Sequence, residues 1–213
     1  MADAKLVLWG DKNFYSPYVF SCWVALKEKG IPFELRTFDL DGGEHRRGDY
    51  AARSVTGRVP SLQHGERWLA ESSAIDEYLE ELFPPPGHPR LYPEQPFERA
   101  RARQVQAWLR SDLMALREER PTSSVFGKEP VKPLTAAGQA AAGRVVQAAE
   151  ALLPQGGSNL FGGFTIADAD LAMMLERLVA NGDPVPARIK AYAETIWTRP
   201  SIQEWRRKSK DPR

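Results

Sequence analysis

Cysteine is almost absent: Cys22 is the one thiol in 213 residues. A single cysteine excludes an internal disulfide and any cysteine-based zinc cluster. The three histidines, His45, His64 and His88, lie far apart and never at metal-ligand spacing. An excess of one charge is missing too. Lys and Arg number 29 against 28 Asp and Glu, a formal net charge of +1, too balanced for the basic field of a generic nucleic-acid binder. No apolar run approaches the ~20 residues that a membrane span needs. The opening residues, MADAKLVLWGDKN, lack the basic region and long apolar stretch of a secretory signal. What is present is 42% hydrophobic and 27% charged, an ordinary folded composition. The expectation is a soluble, metal-free, cytoplasmic protein, free of nucleic acid and membrane, with one large or two small domains.

Two textures divide the chain. Residues 5–10 (KLVLWG) form a β-rich run closed by Gly10 and predict a strand. Ser16 at an N-cap position and Pro17 at the first helical position predict a helix over 17–30, stopped by Gly30 and Pro32. Residues 33–40 alternate apolar and polar side chains, a second strand. Strand, helix and strand in that order make a βαβ unit with a parallel pair. The polar stretch 44–55 reads as an exposed helix, and residues 59–64 and 67–70 as a hairpin around Gly65. Ser72 or Ser73 stands where it would cap a helix running to Leu82, with Ile75, Tyr78, Leu79 and Leu82 on one stripe. The order is β-α-β-α-β-β-α. The proline run from Pro84 to Pro89 breaks all periodicity and reads as a linker. Beyond it the pattern is helical: one long helix over 98–120, a proline-punctuated loop over 121–133, then helices over 136–153, 165–180, 186–198 and 201–208. The division expected is a first domain at 1–84, a linker at 85–92 and an all-α domain at 93–213.

Four motifs mark this order. Ser16-Pro17-Tyr18-Val19 stands at the strand-to-helix turn where thioredoxin-like proteins carry Cys-Pro-Tyr-Cys. Val59-Pro60 leads into the third strand, where that fold holds a cis-proline. Glu71-Ser72 follows the fourth strand. Phe164-Thr165-Ile166-Ala167-Asp168 has the form of a capping box. Together, across nearly the whole chain, they resemble the cytosolic glutathione transferases. The stretches Trp108-Leu109-Arg110-Ser111-Asp112-Leu113 and Arg117-Glu118-Glu119-Arg120-Pro121 are similar to the bacterial YfcF type. The resemblance implies a thioredoxin-like α/β N-terminal domain followed by an all-α C-terminal domain. It also implies a homodimer and glutathione as co-substrate, with transferase activity on electrophilic substrates and peroxidase activity as a further option. Two alternatives stay open: a non-catalytic binding or scaffold module of the same fold, and a glutathione-dependent isomerase. The Ser-Ser-Cys stretch of zeta-like isomerases does not occur; Tyr15-Ser16-Pro17 stands there.

The resemblance assigns roles that elementary chemistry can weigh. Ser16 would donate its hydroxyl proton to the glutathione sulfur. A free thiol with pKa about 8.5 is only about 3% thiolate at pH 7. Making the thiolate dominant takes roughly 2.7 kcal/mol of preference for the anion. One charge-assisted hydrogen bond supplies about 1.5–3 kcal/mol, and the adjacent helix N-terminus about 0.3–1. Neither a metal nor a base is needed. Ser16 and Val19 replace both cysteines of Cys-Pro-Tyr-Cys, so dithiol exchange is excluded, and Cys22, mid-helix beside Trp23, reads as a buried small residue. Val59, with Pro60 in the cis form, would offer its backbone to an extended tripeptide. Glu71 and Ser72 would take the γ-glutamyl ammonium and carboxylate, the latter at a helix N-terminus. His45 and Arg58 match the basic positions that bind the glycine carboxylate. Trp108, Asp112, Leu113, Arg120 and Phe126 would line a second-substrate pocket, covered by the 121–133 loop. Thr165 and Asp168 are assigned to helix capping, with Phe164 and Ala169 as a weak staple.

Overall fold

The computed structural model describes residues 5–127 and 129–209. The chain divides into two compact units between Leu91 and Tyr92.

The first unit runs β1 (Leu6–Asp11), α1 (Pro17–Glu28), β2 (Glu34–Phe38), a 3-10 turn at Glu44–Arg46, α2 (Gly48–Arg53), β3 (Ser61–His64), β4 (Arg67–Ala70) and α3 (Ser72–Leu82). The strands form one sheet in the order β2-β1-β3-β4. β2 lies parallel to β1, β3 antiparallel to β1, and β4 antiparallel to β3. Alternation along β1 sorts its side chains onto two faces. Leu8 pairs with Leu62, which pairs with Leu69; Leu8 and Leu62 are buried. On the same face Gly10 meets α1 so closely that a Cβ there would lie 2.7 Å from Val19 Cγ1. Trp9 points the other way, stacking on Phe38 at 5.1 Å and Trp68 at 5.5 Å between ring centroids. Tyr50 of α2 joins that aromatic group. Its hydroxyl donates to the Arg58 carbonyl at 2.6 Å and lies 3.0 Å from Ser61 Oγ.

The proline run does not leave the first unit at once. Lys29, just past α1, has a fully buried ammonium. It pairs with Glu80 at 2.7 Å and donates to the carbonyls of Phe83 and Pro89, each at 2.9 Å. Glu80 in turn accepts the Leu91 N–H at 2.9 Å. His88 Nδ1 donates to the Lys29 carbonyl at 2.9 Å. A buried cation is tolerable only with such complete satisfaction.

The second unit is helical: α4 (Pro96–Ser111), α5 (Met114–Glu119), α6 (Thr122–Phe126), α7 (Ala136–Leu152), α8 (Ile166–Val179), α9 (Ala187–Trp197) and α10 (Pro200–Lys208). Every residue of α8 from Ile166 to Leu178 is buried, so it is the axis of the core. Its acidic side chains near the start are hydrogen-bonded. Asp170 accepts from Gln106 at 2.8 Å and from Arg110 at 2.9 Å. At its start Asp168 reaches back to the Thr165 N–H and hydroxyl, both at 2.8 Å, and also accepts from Leu160 N–H and the Tyr192 hydroxyl.

Two expectations for this unit are corrected. The single helix over 98–120 is two helices, broken where Asp112 accepts the Leu113 N–H at 2.6 Å and Leu113 takes φ 64°. The 121–133 loop contains α6, whose Ser124 hydroxyl donates to the Pro121 carbonyl at 2.7 Å. Among the described residues no helix is long and apolar enough to cross a membrane.

Candidate active site

Strand register brings the predicted site segments to one end of the sheet. Asp11, the last residue of β1, is paired with Phe38, the last of β2. Trp9 is paired with Ser61, the first of β3, and Ser61 with Ala70, the last of β4. The turn to Ser16, the segment carrying His45, the Val59-Pro60 pair and the Glu71-Ser72 pair therefore all attach at that end.

Ser16 is the N-cap of α1, in extended backbone with φ −66° and ψ 116°. Its Oγ accepts the Val19 N–H at 3.3 Å, and its carbonyl accepts Phe20 N–H at 3.0 Å. The half-exposed hydroxyl thus serves as an acceptor toward the helix and keeps its proton available. Pro17 at the first helical position has no N–H to leave unpaired.

The Val59–Pro60 peptide is cis. Strand pairing starts at Ser61, so Val59 stays outside the ladder. Glu71, not Ser72 or Ser73, is the N-cap of α3, and its side chain makes no capping hydrogen bond. Glu71 is exposed and held at φ 71°, left-handed space that a non-glycine residue seldom occupies. Ser72, the first helical residue, is buried. An uncapped helix start next to a carboxylate offers N–H groups to an anion and the carboxylate to a cation. His45 is buried in the 3-10 turn, and among the described residues its Nδ1 has no hydrogen-bond partner. Arg58 is exposed.

Two cross-links join the helices that carry these ends. The Ser21 hydroxyl donates to Asp76 at 3.0 Å, and the Cys22 thiol to the Ser72 carbonyl at 3.7 Å. All four residues are buried. Cys22 has no exposed surface and acts as a donor between α1 and α3.

The residues assigned to a second-substrate pocket separate into two groups. Trp108 and Asp112 keep exposed surface, and Trp108 Nε1 donates to Asp112 at 3.1 Å. The Leu113 N–H is the main reason the Asp112 carboxyl sits below the usual range, with Trp108 and Arg144 adding to it. Leu113 and Phe126 are fully buried, the latter stacked on Trp197 at 6.2 Å. Arg120, 3% exposed, is bound to both oxygens of Asp183. These three are buried in the second unit.

Sequence reading missed Asp11. The residue is 5% exposed. Its carboxylate accepts Tyr15 N–H at 2.6 Å and Ser16 N–H at 3.2 Å, while its carbonyl accepts Phe14 N–H at 3.2 Å. Burial pushes its pKa above the ordinary aspartate value, against the lowering effect of the Tyr15 and Ser16 N–H donors. The available signal was an acid closing an apolar strand five residues before a capping serine.

The comparisons agree with this architecture. Residues 15–82 match the family model "Glutathione S-transferase, N-terminal domain" and residues 96–210 its C-terminal counterpart. Glutathione S-transferase theta-3 of Mus musculus is 31% identical over 191 residues, 87% of this chain and 75% of the mouse protein. Maleylacetoacetate isomerase of Pseudomonas aeruginosa is 43% identical over 96 residues, a match spanning 44% of each chain. A glutathione transferase homolog from Burkholderia, solved with bound glutathione, superposes with a TM-score of 0.80 at 40% identity, covering 97% of this chain and 99% of that one. With both family models matched in order, on a thioredoxin-like sheet followed by a helical unit, the chain belongs to the glutathione S-transferase family.

Proposed function

We propose that this transferase binds glutathione at the shared end of the sheet and activates it as the thiolate at Ser16. The observation that carries the reading is the Ser16 hydroxyl: it caps α1 as an acceptor and retains a proton to donate. The sulfur would sit between that proton and the positive end of the helix. Glu71 and the uncapped first turn of α3 suit the ammonium and carboxylate of a γ-glutamyl group. Val59, outside the ladder, suits backbone pairing with the tripeptide, and His45 and Arg58 its glycine carboxylate. The thiol proton leaves to solvent, and the thiolate lone pair forms the bond to an electrophilic carbon, which expels its leaving group as an anion or, in an addition, gives up its π bond to a carbanion that takes a proton from solvent. Trp108 and Asp112 are the candidates for contact with that second substrate. A soluble cytoplasmic homodimer is the setting we infer from the family.

A second reading, glutathione-dependent isomerisation, is favoured by the 43% identity to maleylacetoacetate isomerase over 96 residues. There the thiolate adds to a cis double bond, the adduct rotates and the thiolate leaves, so glutathione is regenerated. Ser16→Ala decides between thiolate activation and a binding module. On mixing with glutathione at neutral pH, the native protein should show thiolate absorbance at about 240 nm, and the variant should lose it. Loss of one charge-assisted bond predicts a fall in kcat of roughly 10- to 100-fold, with glutathione affinity largely kept. Unchanged kcat would refute the Ser16 assignment. Net consumption of glutathione by an activated aryl halide, against catalytic recovery of glutathione with a maleyl substrate, separates the two chemistries.

A further inference from the structure

We infer that Asp11 is a positioning residue for the Ser16 hydroxyl, an inference that rests on the thiolate reading above. Nothing in the chemistry of the reaction calls for an acid at this place. A carboxylate 5% exposed is costly unless it is satisfied. Among the described residues no cation pairs with it; the neighbouring Lys12 ammonium is taken by Asp39. Its partners are backbone N–H groups, one per oxygen: Tyr15 on Oδ2 and Ser16 on Oδ1. Together with the Phe14 N–H on the Asp11 carbonyl, they fold the connection from β1 to α1, in which Phe14 takes φ 59°.

The consequence falls on Ser16. Its N–H is held by Asp11 and its carbonyl by Phe20 N–H. With the backbone pinned on both sides, the hydroxyl has little freedom beyond rotation about its own side-chain bonds, and its Oγ is already engaged by Val19 N–H. The direction of the remaining proton is therefore set by the turn, and the turn by Asp11. An anion is the residue type this needs, because it accepts with both oxygens. An amide would turn its NH2 group toward one of the two N–H donors and lose that bond.

Electrostatics and positioning make opposite predictions, which gives the test its sign. A buried negative charge acting only through space disfavours a nearby thiolate, so removing it would lower the pKa of bound glutathione. If Asp11 aims the Ser16 proton, removing it raises that pKa. The experiment titrates the thiolate absorbance of glutathione, at about 240 nm, on the native protein, Asp11→Asn and Asp11→Ala, with kcat and KM measured in parallel. The expected order is native, then Asn, then Ala. The bound thiol pKa should rise by about half a unit in Asp11→Asn and about one unit or more in Asp11→Ala. kcat should fall about 3-fold and about 10-fold or more, with KM for glutathione within about 3-fold. If Asp11→Ala does not fold, Asp11→Asn carries the comparison alone. A lowered pKa assigns Asp11 a purely electrostatic role, and an unchanged pKa and kcat assign it to turn stability only; either result overturns the inference. Absence of a thiolate in the native complex would overturn the thiolate reading itself, and this inference with it.

Discussion

At the scale of single residues, the decisive fact is where each polar side chain finds its partners. Ser16 was legible because its role is local: a capping residue followed by proline announces a helix start from sequence. Asp11 was not, because both its partners are backbone N–H groups, and every residue except proline carries one. Arg120 shows the same blindness. Expected to line a ligand pocket, it is instead buried, and Asp183, 63 positions away, binds it in two-point fashion. Asp183 is also the chief reason the Arg120 pKa is raised further. Asp183→Ala should leave that guanidinium buried and uncompensated, at a cost of about 3–5 kcal/mol. The urea midpoint should fall accordingly with the slope unchanged, and Asp183→Asn should lie between. A shift below about 1 kcal/mol would place the pair with ordinary surface bridges.

At the scale of elements, periodicity located the strands and most helices, and failed where geometry turns on one dihedral. The apolar stripe of α4 and α5 runs on past Asp112, so nothing in the spacing of Val105, Leu109, Leu113 and Leu116 marks a break. The break lies in Leu113 at φ 64°, a conformation for which leucine carries no signal. The start of α3 misled for the opposite reason: two serines look like caps, yet the N-cap is Glu71. Seating of α1 on β1 is a relation between elements, visible only in space. Gly10 leaves room for Val19 that a methyl group would fill, its Cβ falling 2.7 Å from Cγ1. Gly10→Ala should push the first turn of α1 off the sheet and destabilise by about 1–3 kcal/mol, with a drop in kcat as Ser16 moves. Adding Val19→Ala should restore much of both. Thermal melts and kcat on the three proteins check this; failure of the second substitution to rescue would place the strain elsewhere.

At the scale of the whole molecule, the two textures of the sequence were plain, and the two family models follow them. The end of the first unit was less plain, because prolines 84–89 read as linker while Lys29 and Glu80, far apart in sequence, hold that segment. Lys29→Met strands a buried Glu80 and should cost about 3–5 kcal/mol, more than the double variant with Glu80→Leu costs per residue removed. Equal, additive losses in chemical denaturation would show the two side chains to be independent. The same knot fixes where the chain can be divided. A first unit cut at residue 84, where composition changes, would lack the Pro89 carbonyl, the Leu91 N–H and the His88 imidazole that complete it. Exchange of N-terminal halves between relatives therefore has its natural seam after Leu91, at the last residue the lysine and its glutamate hold, and not at the prolines that look like a hinge.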